Sequence, residues 1–348
     1  MLPRLLTRRA AALLTTLALS VAGAVVVDPT PVSAEQGTDS TASHRSDPRK
    51  RLGLYVDTTM PAYYVVDGAY RDAIGRYSQA FWLIPEAYDQ SQVRQRVIDY
   101  TAAAATAGKT PVLTVYGIPG RDCGKYSSNN PLKTAPEYRA WIRQVGSGLV
   151  GQHALVVLEP DALPLFSSSV AACPTKPDRW QGMLRYASRK LSESGAWVYL
   201  DAGHSKWTPW DDRGSYLKQA GVEYDRGISV NVSNFRPTPS EKTYADKLLG
   251  QLRKLGIRGK HYVVDSSRNG YASPPDPDSD RNVLNPTWAR LGSPPRLVFD
   301  GTFDGTLWVK HPGESDGEVN GGGPSGHWCD MLADRLIDGT SNQTSCPG

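Results

Sequence analysis

Five short apolar runs recur along the 348-residue chain, and each of them ends in a charged or polar group. The runs start at positions 111, 156, 197, 262 and 306, and the groups that follow them are Tyr116 with Asp122, Glu159 with Asp161, Asp201, Asp265, and Lys310 with Glu314 and Asp316. A single aspartate after a strand is common in turns and at helix N-termini. Five such runs separated by helix-length segments predict instead a ring of parallel strands that aims polar groups into one cleft.

The most informative run is 156–164, Val-Val-Leu-Glu-Pro-Asp-Ala-Leu-Pro. Proline cannot continue a β-ladder, so the strand is expected to stop at Pro160 and to leave Asp161 at its carboxyl end. Barrel-type α/β enzymes carry their chemistry at that end of the strands. A carboxyl group held there beside apolar side chains is a candidate proton donor with a raised pKa.

Residues 1–34 are predicted to be a secretory signal. Three arginines form its charged start, residues 10–27 are nearly all apolar or small, and 32–34 (Val-Ser-Ala) offer a small-residue cleavage site. An uncleaved membrane anchor is the alternative. It is disfavoured because the run is rich in Ala and Thr and no charged flank follows it.

Residues 35–50 are polar and without periodicity, which predicts a disordered lead, and residues 51–348 are predicted to form one α/β domain. Within that domain, further strands are expected at 52–57, 80–84 and 228–232, and helices at 91–107, 136–149, 180–191, 216–220 and 243–255. The alternation of strands and helices predicts a parallel barrel or a doubly wound sheet. Residues 271–281 are expected to form a surface loop on the side where the strands end.

Removal of residues 1–34 would delete three basic residues and one acidic residue, so the net charge would fall from +4 to +2. A nearly balanced charge offers no basic field for nucleic acid, and a neutral partner is expected instead.

All four cysteines lie in the predicted mature region, which in an oxidising compartment suggests two disulfides. Of the three possible pairings we favour Cys123 with Cys173, which would tie two strand-end loops together, and Cys329 with Cys346, which would close the C-terminal tail. The cysteine spacings do not match zinc sites and the six histidines form no HExxH-like cluster, so neither a metal nor another cofactor is expected.

Aromatic residues accompany the carboxylates along the sequence: Trp82, Tyr116, Trp207, Trp210, Trp288 and Trp308. Core packing is the ordinary explanation for an aromatic residue. Trp207 and Trp210 are different, because they follow Asp201 in a polar loop without an apolar face to bury them. Flat rings at a cleft mouth stack on sugar rings, and paired carboxylates with such rings point to glycoside hydrolysis.

Six motifs in order then make the chain similar to glycoside hydrolase family six, the inverting β-1,4-glucanases or cellulases, over roughly residues 54–339. The motifs are Tyr116 with Pro-Gly-Arg-Asp-Cys-Gly at 119–124, Leu-Glu-Pro-Asp at 158–161, Leu-Asp-Ala-Gly-His-Ser-Lys-Trp at 200–207, Asn-Val-Ser-Asn-Phe at 231–235, Asp-Ser-Ser-Arg-Asn-Gly at 265–270, and Trp-Val-Lys-His-Pro-Gly-Glu-Ser-Asp-Gly at 308–317. The resemblance implies a distorted, seven-stranded, TIM-like barrel.

The resemblance also implies roles for individual residues. Asp161 matches the general acid, and Asp122 matches the aspartate thought to keep that acid protonated. Asp316 matches the residue often proposed as base, and Tyr116 the tyrosine that crowds the sugar at the cleavage point. Ser128 lies in the loop that positions the attacking water. The other matched positions support or contact the sugar: Trp82, Asp201, His204, Trp207, Asn234, Trp308, Lys310 and Glu314.

Two departures stand out. Val283 and Leu284 stand where the family usually carries Trp-Cys, and Glu318 stands near the position of the partner cysteine. The missing tryptophan bears on stacking at the leaving-group side.

The loops that would roof a tunnel are short, which favours an open cleft and internal cleavage. The sequence therefore predicts a secreted, extracellular endo-β-1,4-glucanase that is monomeric, has no membrane contact after signal removal, and acts on a β-1,4-glucan. The alternatives are an inverting hydrolase of another β-glucan, an exo-acting cellobiohydrolase, and a non-catalytic glycan-binding protein.

Overall fold

The computed structural model describes residues 47–64, 68–125, 129–168, 172–207, 209 and 211–347. The predicted signal, residues 35–46 of the predicted lead, Ser128 and Trp210 lie outside these residues. The folded domain begins before the predicted boundary at Arg51. Asp47 caps a 3₁₀ turn at Pro48–Lys50, and the buried Arg49 donates hydrogen bonds to the carbonyl oxygens of Ala154 and Gly195 at 3.3 and 3.0 Å.

A curled sheet forms the centre of the domain. Its strands are β1 (Phe81–Leu83), β2 (Val112–Val115), β3 (Leu155–Leu158), β4 (Trp197–Asp201), β5 (Gly227–Val230), β6 (His261–Asp265), β7 (Arg296–Asp300) and β8 (Phe303–Leu307). The order is β1-β2-β3-β4-β5-β6-β8-β7, and β7 alone among these strands is antiparallel to its neighbour. The seven parallel strands confirm the predicted distorted barrel, and β7 adds an edge strand.

The described helices are α1 (Pro61–Tyr64), α2 (Gly68–Tyr70), α3 (Val93–Thr106), α4 (Ala135–Leu149), α5 (Ala162–Phe166), α6 (Trp180–Glu193), α7 (Arg213–Gln219), α8 (Thr238–Lys254), α9 (Asp280–Val283) and α10 (Asp330–Asp338). None of them is long and apolar enough to cross a membrane. The predicted helices correspond to α3, α4, α6, α7 and α8, and α8 begins five residues earlier than expected.

Successive side chains of each strand point to opposite faces of the sheet, which gives one apolar layer inside the barrel and another between the sheet and the helices. On β3, Leu155 and Val157 point into the barrel interior, whereas Val156 and Leu158 point outward into the layer covered by the helices. All four are fully buried, because a parallel strand is covered on both faces. This explains why the parallel strands are continuous apolar runs in the sequence.

One strand prediction needs correction, and one strand was missed. Residues 52–57 form only an isolated bridge between Leu54 and Thr110, because the chain turns at Asp57, which accepts a hydrogen bond from the backbone of Thr59 at 2.8 Å. Strand β7 was not expected from the sequence. Its alternate residues Arg296, Val298 and Asp300 are exposed, so it lacks the continuous apolar run of the buried strands.

Both favoured disulfides are present. Cys123 pairs with Cys173 with their Cα atoms 4.7 Å apart, and Cys329 pairs with Cys346 at 5.5 Å. The first bridge ties the turn at Arg121–Gly124 to the segment that follows α5. The second holds the C-terminal tail to the start of α10.

Candidate active site

The carboxyl ends of the parallel strands surround a cleft of about 1190 Å³. Ten of the predicted site residues line it: Trp82, Tyr116, Asp122, Asp161, His204, Trp207, Asn234, Lys310, Glu314 and Asp316. They come from β1 itself and from the segments after β2, β3, β4, β5 and β8, so the topology brings together residues that are far apart in sequence. Asp201 lies beneath them, fully buried in β4.

Asp161 has the environment of a proton donor. It lies at the start of α5, and its backbone N–H donates a hydrogen bond to Asp201 Oδ2 at 2.9 Å. Its own Oδ1 is buried and accepts no hydrogen bond from any residue that the structure describes. Burial, followed by the charges of Asp201, Asp122 and Asp316, raises the pKa of Asp161 well above its ordinary value. This environment favours the protonated form of the Asp161 carboxyl group.

Asp201 supports Asp161 from below. Its carboxylate also accepts hydrogen bonds from the backbone of Gly203 at 3.1 Å and from Ser229 Oγ at 3.2 Å. Burial raises the pKa of Asp201, and these donors oppose that shift. Because Asp201 has three donors and Asp161 Oδ1 has none, the proton of this buried pair resides on Asp161.

Tyr116 and Asp122 form the second polar unit. The Tyr116 hydroxyl donates to Asp122 Oδ1 at 2.5 Å. Burial and the Asp122 charge raise the pKa of Tyr116 well above its ordinary value, so the phenol stays protonated. Arg121 lies over the Tyr116 ring at 4.4 Å, and the Tyr116 and Trp82 rings are nearly perpendicular with their centroids 5.4 Å apart. This end of the cleft is therefore crowded by aromatic and charged side chains.

The sequence prediction missed the role of Glu159. It is fully buried and accepts hydrogen bonds from the backbone of Gly117 and Ile118, all at 3.0–3.1 Å, and from the Tyr138 hydroxyl at 2.9 Å. Burial raises the pKa of Glu159 to about 7, against the effect of these donors. Glu159 thus attaches the loop after β2, which carries Asp122, to the end of β3.

Backbone strain collects at the same place. Glu159, Asp161 and Asp122 adopt left-handed conformations with φ of 48°, 65° and 54°. Such conformations cost roughly 1–3 kcal/mol each and persist only where the surrounding structure imposes them. The Glu159 hydrogen bonds and the Cys123–Cys173 bridge are those constraints, and they orient the two aspartates toward the cleft.

Asp316 is an ion-paired carboxylate. Its Oδ2 accepts from Arg268 Nη1 at 2.7 Å and from the backbone of Asn285 at 3.0 Å, and Lys310 Nζ lies 3.4 Å from its Oδ1. Burial raises the pKa of Asp316, but Arg268 and Lys310 outweigh it and the pKa is lowered overall. The sequence analysis did not predict this ion pair, although Arg268 lies in the fifth motif, at 265–270.

His204 is a neutral ring in the cleft wall. Burial, with Arg236 and Arg213 nearby, lowers the pKa of His204 to about 3. Its Nδ1 accepts from the backbone of Lys206 at 3.2 Å, which leaves Nε2 protonated as a donor. The Trp207 ring lies 5.3 Å away and is half-exposed, so this wall offers a donor beside a flat apolar surface.

Two of the tryptophans singled out in the sequence lie away from the cleft. The predicted sugar contact at Trp308 is wrong: this side chain is 2% exposed, packs against Tyr77 and Ile74, and donates to the carbonyl oxygen of Ser293 at 3.0 Å. Its neighbours Leu307 and Val309 point into the barrel, so alternation turns Trp308 outward. Trp288 packs against Phe235 at 5.5 Å.

Within the described ranges, no group of three or more His, Cys, Asp or Glu side chains is arranged to hold a metal ion. The departures Val283 and Leu284 both line the cleft. They give one wall a smaller apolar surface than a tryptophan would provide.

Glycoside hydrolases as a class surround one sugar-binding cleft with carboxyl groups and flat aromatic rings, and this cleft is of that kind. The family model described as "Glycosyl hydrolases family 6" matches residues 63–337, and the chain belongs to this family. The resemblance inferred from the sequence motifs is thereby confirmed.

Relatives and solved structures agree with this membership. The chain is 40% identical over 293 residues to endoglucanase A of Cellulomonas fimi (82% of this chain, 61% of that protein) and 36% identical over 258 residues to endoglucanase A of Thermobispora bispora (71% and 52%). It therefore spans less than two thirds of the length of these two relatives. The endoglucanase Cel6 of Mycobacterium tuberculosis, solved with a thio-linked cellobioside, superimposes with a TM-score of 0.75 at 36% identity over 84% of this chain and 99% of that chain.

Proposed function

We propose that this protein is an endo-β-1,4-glucanase that hydrolyses internal bonds of cellulose with inversion of configuration. The observation that carries the proposal is Asp161, a buried carboxyl group with a raised pKa that lines the cleft and whose Oδ1 accepts no hydrogen bond from the residues that the structure describes. A group in this state can give a proton to the leaving oxygen of a glycosidic bond. Membership of the family and the endoglucanase names of the similar proteins support this substrate class.

Each residue then has a role in the reaction. Asp161 is the general acid, and Asp122 and Asp201 help to keep it protonated through their charges. Tyr116 crowds the sugar at the point of cleavage. Ser128, outside the described residues, would help to position the attacking water. The sugar is bound along the cleft by Trp82, His204, Trp207, Asn234, Lys310 and Glu314.

Secretion is part of the proposal. Residues 1–34 have the composition of a signal, and two disulfides suit an oxidising compartment. We propose that the mature protein is an extracellular monomer whose catalytic domain includes the turn at Pro48–Lys50.

The proposal predicts the products of digestion. The protein should reduce the viscosity of carboxymethyl cellulose faster than it releases reducing ends, and proton NMR of early cellopentaose products should show the α-anomer first. Water must enter opposite the leaving group in an inverting reaction, which gives this anomer. The β-anomer first would overturn inversion, slow viscosity loss with steady cellobiose release would indicate exo cleavage, and absent hydrolysis with retained binding would indicate a glycan-binding protein.

A second candidate is an inverting hydrolase of another β-glucan. Val283 and Leu284 in the cleft favour it, because they replace the stacking surface that the family usually has there. Initial rates on lichenan and xyloglucan above those on cellulose would favour this candidate.

The two disulfides should differ in their effect on activity. Replacing Cys123 and Cys173 together by alanine should lower kcat/KM on carboxymethyl cellulose by about tenfold or more, because Cys123 adjoins Asp122 in a strained turn. The matched pair, Cys329→Ala with Cys346→Ala, should change the melting temperature but leave kcat/KM within about twofold. Equal losses of activity in the two variants would contradict a role of the first bridge in orienting Asp122.

A further inference from the structure

His311 lies at the edge of the cleft in an unusual hydrogen-bonding position. Its Nε2 is 2.6 Å from the carbonyl oxygen of Ala80, and its Nδ1 is 2.7 Å from Glu314 Oε1. The residue is 8% exposed, so water satisfies little of the ring. A carbonyl oxygen only accepts, and an ionised carboxylate only accepts, so both ring nitrogens need protons. The contacts therefore favour an imidazolium.

The charges around the ring agree with that state on balance. Burial lowers the pKa of His311. The Glu314 charge, the hydrogen bond to Glu314 and the hydrogen bond to the Ala80 carbonyl together raise it by more, so the net shift is upward. Lys310 opposes protonation. The other titratable groups on the adjoining cleft wall are Asp316 and His327, and β1 contributes none.

The ring also takes part in closing the barrel. The backbone N–H of Ala80 donates to the Trp308 carbonyl at 2.9 Å, and Trp82 Nε1 donates to the Val309 carbonyl at 2.8 Å. With the His311 bond, these contacts join the start of β1 to the segment after β8. Trp82 lies in β1 and Glu314 lies in the segment after β8, so these contacts join the two parts of the chain that carry them, and both residues line the cleft.

We propose that His311 is a positioning residue for substrate binding, whose imidazolium fixes the Glu314 carboxylate in the sugar-binding wall and fastens that wall to the strand carrying Trp82. The inference rests on the proposed function, because the sugar-binding roles of Trp82 and Glu314 belong to it. His311 acts through Glu314 and not on the reacting bond. Its loss should therefore weaken binding and leave the chemical step nearly unchanged.

The kinetic test uses His311→Gln, which is neutral and cannot donate to both acceptors. KM for cellopentaose should rise about tenfold, the order expected for one charge-assisted hydrogen bond, while kcat stays within about twofold. In the wild type, KM should rise as pH increases through the titration of His311, because the neutral ring releases one acceptor. In His311→Gln that pH dependence of KM should disappear.

Two further measurements keep the test decisive. In the full-length wild type with ¹⁵N-labelled histidine, the ring identified as His311 by its proximity to Ala80 should have both nitrogens protonated at pH 7. This signal depends neither on activity nor on folding of the variant. In addition, the loss of binding in the double variant with Glu314→Gln should be smaller than the sum of the two single losses, since His311 and Glu314 act as one unit.

The outcomes separate the two ideas. A neutral ring at pH 7, an unchanged KM in His311→Gln, or additive losses in the double variant would each overturn the positioning role while hydrolysis still supported the proposed function. If no β-glucan were hydrolysed or bound, the proposed function would fail, and the positioning role would fail with it.

Discussion

Replacement of Asp161 by asparagine is expected to lower kcat on carboxymethyl cellulose by about 10²–10⁴-fold, the range that general acid catalysis typically contributes. Asparagine has nearly the same shape as the protonated acid, so the cleft and the binding of polymer should change little. The amide nitrogen holds its protons far too tightly to give one to the leaving oxygen. The effect should therefore appear in kcat and hardly in KM.

The leaving group provides a diagnostic comparison. An aryl cellobioside with an acidic phenol needs less protonation as it departs, so Asp161→Asn should affect its cleavage much less than that of the polymer. Asp278→Asn is a matched control, because Asp278 is exposed on the loop at 271–281 and its change should leave kcat within about twofold. If Asp161→Asn kept more than half of the wild-type turnover on the polymer, Asp161 would not be the acid.

Much of the fold could be predicted because the buried parallel strands are apolar along their whole length. Runs such as Leu155–Leu158 are covered on both faces, so they stand out in the sequence and the helices between them follow. Strand β7 escaped prediction because it pairs at an edge and alternates exposed with half-buried residues. The opposite error occurred at 52–57, where a strand was predicted but the segment pairs only at the bridge between Leu54 and Thr110.

The site residues could be predicted where they follow closely after a buried strand in the sequence. Asp161 and Asp122 are close to buried strands in the sequence, and the parallel topology alone brings them into one cleft. The prediction of a sugar contact for Trp308 failed because the orientation of this side chain depends on which residues after β8 point into the barrel and which point outward. The sequence motif does not reveal this. His311 was missed because its partner Ala80 is 231 residues away, and such pairing depends on how the barrel closes.

Asp316→Ala is expected to give the second large loss of stability and activity, because it leaves two buried cations without their carboxylate partner. Arg268 is 3% exposed at its side chain and Lys310 is 11% exposed, and both face the Asp316 carboxylate. Breaking a buried pair by removing one partner typically costs about 3–5 kcal/mol of folding free energy. The free energy of unfolding from urea denaturation should fall by about that amount, and activity should fall further than stability explains.

The reason for the extra loss is the field at Asp161. The Asp316 charge is one of the influences that raise the pKa of Asp161. Without it, the uncompensated Arg268 and Lys310 would lower that pKa, so the acid would lose its proton at a lower pH. The alkaline limb of the kcat profile should therefore move to lower pH in Asp316→Ala.

Asp304→Ala is the matched control for this change. Asp304 is fully buried at the opposite end of the barrel, where it pairs with Arg226 at 2.8 Å and accepts from the Tyr199 hydroxyl at 2.7 Å. Its loss should cost similar stability but leave the alkaline limb of kcat in the folded protein unchanged. If both variants lost activity only in proportion to stability, the electrostatic role of Asp316 would be refuted.

Azide separates this role from that of a catalytic base. A base must take a proton from the attacking water, and an external anion that replaces the water can rescue a variant without its base. Both cations already engage Asp316, its Oδ2 has two donors, and its pKa is lowered, so it has little tendency to take a proton. Azide should therefore fail to restore activity to Asp316→Ala. Substantial rescue would identify Asp316 as the base; failed rescue together with the shifted alkaline limb would identify it as the charge that keeps Asp161 protonated.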